Sequence, residues 1–521
     1  MYLNLFFLKS HHIGKKLRFI HEVILIRFDI VLLKMTSHNQ ANAGFIKRLT
    51  TAHGWRYVLL IVCVYGINQG AGEGLTFFAQ QYWMTDPTKE QYLNSSSHQE
   101  NTTSPHHTSL GLGLSPSRYA EVDAFSNIPW QIKSLYGVIS DVYPIRGYHK
   151  TPYMVMSSVC GVLSFLMLWV NPIAFNVVGS AFLLFLANFS IASPDVMIDA
   201  SIAQKSSKET SYAPDLQALC WISFGIFKIL SLLIVPKLFQ DYGSRFVFGV
   251  SSLTALAVFI PSALGWMSEE QEEENVENSN DGCLQKFLRF ADFNSPSGPF
   301  VRLSILLTII SLSMGFVSMW SDENHGFVSV FAMFLVTPLI SYLVYKYESY
   351  VDVNLAKFSL YIFLSGAIQP STPVLFYWMK ADDINCELDL PCFSPDFIAT
   401  ISIVGYIMFV LGTAFYNQYL TSVSYRKIYF FTQVAMFILN MIDLFWVLRL
   451  NLFFGISDKV FVLGDEVISP MISRWNTMPM LILAAVLCPP NVEATFFAMT
   501  MGLRNFGGTL GEYFGVIHGY F

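Results

Sequence analysis

The chemistry this chain can do lies in charged side chains set inside long apolar runs. Lys133 sits in Ile128-Pro129-Trp130-Gln131-Ile132-Lys133, and the run continues through Tyr136-Gly137-Val138-Ile139-Ser140-Asp141 into a basic turn, Arg146-Gly147-Tyr148-His149-Lys150. A charge at the middle of a bilayer costs roughly 2.5 to 3.5 kcal/mol on insertion scales, so Lys133 is tolerated only against a partner or a watery cavity. Asp195 and Asp199 are one turn apart and share a helix face. Glu73 stands within Gly70-Ala71-Gly72-Glu73-Gly74, where small residues loosen a helix and let another backbone or a solute approach. Asp123, Lys228, Asp443, Asp465, Glu466, Arg474, Arg504 and Glu512 are spread over other apolar stretches. Around a dozen such charges would cost on the order of 30 kcal/mol facing lipid, which places them along a shared interior.

Two of these cations, Lys133 and Arg474, fall near mid-span in opposite halves of the chain, the placement expected for recognising an anionic solute near the bilayer midplane. An internal salt bridge is the alternative for each. Asp141, with Arg146 and Lys150, reads as a gate between helix bundles, while Asp195 and Asp199 read either as an ion-pair cluster at the end of their helix or as coupling groups. Burial-raised proton affinity makes Glu73, Asp123 and Glu466 candidates for proton coupling. Arg504 and Glu512 lie about 80° apart round a helix and could line one cavity without bonding each other.

The elements that must position these groups are transmembrane helices. The chain has 521 residues, of which 53% are hydrophobic and 13% charged, a make-up that excludes an ordinary soluble domain. Its net charge of −6 forms no basic surface, so no nucleic-acid partner is expected. A window of about 20 residues predicts helices over Trp55–Gln80, Tyr119–Val142, Pro152–Val170, Phe175–Ile198, Asp215–Phe239 and Phe246–Met267. Two further helices, Phe300–Trp320 and Gly326–Tyr345, precede a second set over Leu355–Met379, Phe397–Leu420, Ile428–Leu450, Val460–Leu487 and Ala494–Ile517, for about thirteen spans in all.

The expected organisation is an N-terminal segment (1–54), a first bundle (55–267), an acidic linker (268–298), two extra helices (299–347) and a second bundle (353–521) that reads as lacking a last helix. Lys and Arg on alternate loops place those loops and the N-terminus on the cytoplasmic side. Residues 1–34 lack the uninterrupted apolar core and cleavage site of a signal peptide and read as an extension, a weak targeting segment or, the preferred reading, a misassigned start ahead of Met35. Asn94 and Asn101 begin glycosylation sequons in an outer loop, and Cys386 and Cys392 could close a small disulfide there. The Cys and His residues lack metal-ligand spacing, and neither a phosphate-binding Gly-Lys loop nor a catalytic constellation appears, so neither a cofactor nor an enzyme is expected.

Three motifs resemble those of the folate-biopterin transporter family of the major facilitator superfamily. They are the Pro129–Asp141 run, Ser193-Pro194-Asp195-Val196-Met197-Ile198-Asp199-Ala200, and Cys488-Pro489-Pro490-Asn491-Val492-Glu493-Ala494-Thr495-Phe496-Phe497-Ala498. Pro370-Ser371-Thr372-Pro373 and Tyr377 add to the likeness. The resemblance implies an all-α, two-bundle carrier that moves a folate, a pterin or a related organic anion by alternating access through a bilayer. It also raises Trp130 and Tyr377 as aromatic substrate contacts and draws Glu493 among the gating groups. A carrier of another solute, or a carrier fold that does not transport, stays open.

Overall fold

The structure, a computed structural model, describes residues 45–85, 111–114, 122–123, 125–170, 177–271, 283–292, 295, 297–320, 325–369, 393, 395–488 and 492–519. Residues 1–34, the sequons at Asn94 and Asn101, Cys386, Cys392 and the Pro370–Pro373 motif lie outside these residues, as do the side chains of Asp443 and Glu512.

Met1–Val58 forms one unit, whose described part holds α1 (Phe45–His53), ended by Gly54 at φ 80°. Leu59–Phe521 forms the other, and its regular structure among the described residues is helical. The first span begins as α2 (Trp55–Ile61), passes through a π-helical stretch at Val62–Ala71 and continues as α3 (Gly72–Thr85). Next come α4 (Ile128–Gln131), α5 (Lys133–Val142), α6 (Thr151–Val170), α7 (Val177–Lys208) and α8 (Ala213–Ala263). After the linker follow α9 (Cys283–Phe290), α10 (Gly298–Trp320), α11 (His325–Glu348) and α12 (Val353–Ala367), the last capped by the Asp352 carboxylate, which accepts from the Asn354 N–H. The remaining elements are α13 (Pro395–Phe415) with a π-helical end at Tyr416–Leu420, α14 (Tyr425–Val447), α15 (Leu450–Phe453), α16 (Asp458–Val486) and α17 (Glu493–Gly519).

Among the described residues, six helices are long and apolar enough to cross a membrane: Trp55–Gln81, Thr151–Val170, Val177–Lys208, Thr210–Ala263, Gly298–Phe316 and Phe397–Leu420. The third of them extends beyond its expected end. Expected to stop at Ile198, it runs on to Lys208, so Asp199 lies about two and a half turns inside the helix rather than at its end. The helix expected across Tyr119–Val142 is broken at Ile132 (φ −92°, ψ 20°), directly before Lys133. The two spans expected between Asp215 and Met267 are continuous except at Gly243, whose φ of 77° and ψ of 171° only glycine adopts without strain.

Packing divides the helices into two bundles. In the first, α8 lies along the π-helical stretch, α3 and α6, and α7 packs on α6; Trp83, Phe165, Leu184, Val235 and Phe248 fill this core. In the second, α13 packs on α16, α14 on α16 and α12 on α17. The bundles meet chiefly along two seams, α5 with α17 and α8 with α13, and α7 also packs on α17 and α16. The extra helix α10 touches both sides of the first seam: Val301 packs with Val138 and Val142 of α5, and Phe300 meets Phe496 of α17 at 5.5 Å between ring centroids.

Candidate functional site

On α8, Gln217, Trp221, Phe224 and Lys228 recur at i, i+4, i+7 and i+11 and so share one helix face. Tyr406 and Phe409, three apart on α13, face them across the seam: Trp221 lies 6.2 Å from Phe409, Phe224 5.8 Å from Phe409 and 6.0 Å from Tyr406, and Tyr406 5.9 Å from Phe409. These four rings form a continuous aromatic patch that joins the bundles.

Arg474, contributed by α16, stacks on this patch. Its guanidinium carbon sits 4.6 Å from the Trp221 centroid and 4.4 Å from that of Phe409, with the residue 5% exposed. A desolvated cation over a ring gains about 2 kcal/mol. That does not replace a hydrogen-bond acceptor, and Arg474 Nη1 and Trp221 Nε1 are both buried without one among the described residues. Two orphaned donors, one carrying charge, make a place that favours an anion. Arg504 is held nearby by a 3.2 Å bond from its Nη2 to Thr477 Oγ1.

Lys133 is placed differently. It pairs with Asp195, both residues being buried, and its ammonium lies 4.6 Å from the Trp130 ring. Trp130 in turn donates from Nε1 to Asn188 Oδ1 at 3.0 Å, and Tyr65 of the π-helical stretch donates to Asp199. Asp195 and Asp199 are thus joined to α5 and to the first span in mid-helix. The loosened glycine run lets α8 in: a Cβ on Gly70 would stand 2.4 Å from the Phe224 carbonyl oxygen. Glu73 Oε2 meets Lys228 Nζ at 3.3 Å, and Asp123 accepts from Gln80 Nε2 at 2.7 Å. Asp465 accepts only from within its own helix, from Ser469 at 2.6 Å, among the contacts the structure gives it. Tyr377 and the Glu466 side chain lie outside the described residues.

At the end of the bundles that carries the basic turn, Asp141 reaches across the first seam. Its Oδ2 accepts from the Thr495 backbone N–H at 2.8 Å and the Thr495 hydroxyl at 2.7 Å, so it caps the exposed donors of α17 in trans. Glu493, at the head of that helix, is buried beside it. Arg146 and Lys150, expected with Asp141, have other close partners. Lys150 Nζ lies 3.9 Å from Glu269, which also accepts the His149, Lys150 and Thr151 N–H groups, and the exposed Arg146 accepts at its carbonyl from Gln271 Nε2. The second seam has its own bond at this level, from Asn417 Nδ2 to Asp215 Oδ1 at 3.0 Å.

Trp221, Tyr406, Phe409, Tyr65, Thr495 and Asn417 were not singled out from the sequence. In a chain with 46 Phe and 25 Tyr residues an aromatic carries little signal, and only the shared-face spacing from Gln217 to Lys228 could have drawn attention to Trp221.

The BT1 family profile matches residues 101–518. The chain belongs to the BT1 family. Curated relatives include the probable folate-biopterin transporter 2 of Arabidopsis thaliana, 27% identical over 89% of this chain and 76% of that protein. The folate-biopterin transporter of Synechocystis sp. is 23% identical over 77% of this chain and 67% of its own length. In fold, this BT1 member is similar to the proton:xylose symporter XylE (TM-score 0.51, 10% identity, 90% of each chain) and to the POT family transporter PepTSo (TM-score 0.52, 13% identity, 89% of each chain). Both likenesses give it a major facilitator fold, and its family and curated relatives are multi-pass membrane transporters rather than enzymes.

Proposed function

We propose that this BT1 member carries a folate, a pterin or a related flat organic anion across its membrane by alternating access, with the anion held at Arg474. The observation that carries this reading is the pair of buried donors without acceptors among the described residues, Arg474 Nη1 and Trp221 Nε1, on an aromatic patch shared by both bundles. An acceptor-rich planar ligand would satisfy the donors and stack on the rings. The names of the curated relatives point to the same class of solute. Lys133 already has its charge met by Asp195, which leaves Arg474 as the anion-recognising cation and Lys133 as the tie between α5 and α7. Asp141–Thr495 and Asp215–Asn417 close the two seams at one end, and release of both would open a path to the site from that side, which the loop charges make the cytoplasmic one.

Uptake of labelled folate and pterin into reconstituted vesicles tests the reading. Losing a charge-assisted hydrogen bond in Arg474→Ala should weaken half-saturation by roughly 10- to 100-fold at normal protein abundance. Uptake unaffected by that substitution, or ligand binding without flux, would overturn it.

A further inference from the structure

Arg474 is one of two cations on the aromatic patch. Lys228 lies 5.7 Å from the Phe224 centroid and 5.5 Å from that of Tyr406, so each cation sits on its own pair of rings, and the rings touch one another. The residue is 7% exposed. Its counter-charge is Glu73, a single contact at 3.3 Å, longer than the 2.7 to 2.9 Å of a well-made charge-assisted bond. The Glu73 side chain keeps 31% of its surface accessible while the Lys228 side chain keeps 9%. Glu73 is flanked by Gly72 and Gly74 at the junction of the π-helical stretch with α3, where no side chain on either neighbour restricts the backbone. An ammonium has three donors; this carboxylate engages one of them at long range and the Tyr406 hydroxyl another, which leaves the third for a ligand.

We propose that Lys228 is a second anion subsite and that Glu73 is its displaceable resident. Resting on the reading of Arg474 above, the substrate then carries two anionic groups: one meets Arg474 and Trp221, its flat portion stacks on the four rings, and the other takes Lys228 from Glu73. The released Glu73 carboxylate turns to its accessible side, so no unpaired charge is left buried. A solute with one anionic group fills the Arg474 subsite alone and leaves the Lys228–Glu73 pair closed.

Folate, with two carboxylates on its glutamate, and pteroate, with one carboxylate, separate these cases. In reconstituted vesicles Lys228→Ala/Glu73→Ala, which removes both charges and strands neither, should lower the ratio of folate to pteroate affinity by roughly tenfold, the loss of one charged hydrogen bond. Glu73→Gln, which frees Lys228 from competition, should raise the same ratio. Equal effects on the two solutes in both variants would overturn the second subsite while leaving Arg474 intact. If Arg474→Ala instead changes uptake of neither solute, it is the underlying reading of the site that fails. Thermal unfolding of each variant shows whether the protein is folded, and Glu73→Gln, isosteric and partly exposed, keeps the ratio measurable should the double variant not fold.

Discussion

Lys133 shows what a residue can and cannot announce. Its presence in an apolar run was enough to say that it faces a partner, because lipid would not tolerate it, but the identity of that partner depends on where α7 lies beside α5. With Asp195 in place, removing the cation alone leaves a buried carboxylate. Lys133→Ala should therefore lower stability by about 3 to 5 kcal/mol, and Lys133→Ala/Asp195→Ala should recover much of it, measured by thermal unfolding in detergent. Arg474 was legible in the same way, and the rings around it were not, since aromatics are too common in this chain to mark a place. Asp458, at the head of α16, makes a pH-dependent case. Burial alone would raise its proton affinity, yet hydrogen bonds from Trp446, Asn451 and Arg449 outweigh that and hold its carboxyl below the usual range. Its stabilising contribution is then complete above the ordinary carboxylate pKa and is lost as pH falls through the lowered one. Asp458→Asn should flatten that acid limb of the unfolding profile, and an unchanged limb would show that other carboxylates set it.

Helices were legible where apolar runs are long, and their ends and breaks were not. Periodicity stops α7 at Ile198, whereas the helix continues through serines and alanines to Lys208, since Asp195 and Asp199 are paired inside the protein and no longer require an exit from the membrane. The break at Ile132 has no glycine to signal it and is visible only in the backbone. Close helix approaches follow from glycines the sequence does show. Gly137 lets α5 lie on the first turn of α17, where a Cβ would stand 2.5 Å from the Ala494 carbonyl oxygen and 2.9 Å from Thr495 Cα. Backbone cannot yield as a flexible side chain does, so Gly137→Ala should push the helices apart and stretch the Asp141–Thr495 bonds. Faster labelling of Thr495→Cys by a thiol reagent in the Gly137→Ala background would report it; equal rates would mean that the seam absorbs the methyl group.

For the molecule as a whole, the two seams move together if the bundles rock as rigid bodies. Asp141→Asn keeps the shape of its acceptor but weakens it, so turnover should change more than substrate affinity. A loss confined to affinity would remove Asp141 from the gate. Oxidative cross-linking of Asp215→Cys with Asn417→Cys should halt flux and release it on reduction, because one fastened seam holds both. Full flux from the cross-linked protein would show that the seams open independently.

At this end of the first seam the printed bonds join a charge to neutral groups: Asp141 binds a hydroxyl and a backbone amide of Thr495. Parting a carboxylate from a neutral dipole separates no ion pair, and the attraction fades within a few ångströms, well inside the Debye length of about 8 Å at physiological ionic strength. Mobile salt therefore has little to screen. Parting of α5 from α17 should be almost indifferent to ionic strength, and labelling of Thr495→Cys by an uncharged thiol reagent should stay level from dilute buffer to molar salt even while the charged site makes half-saturation drift upward.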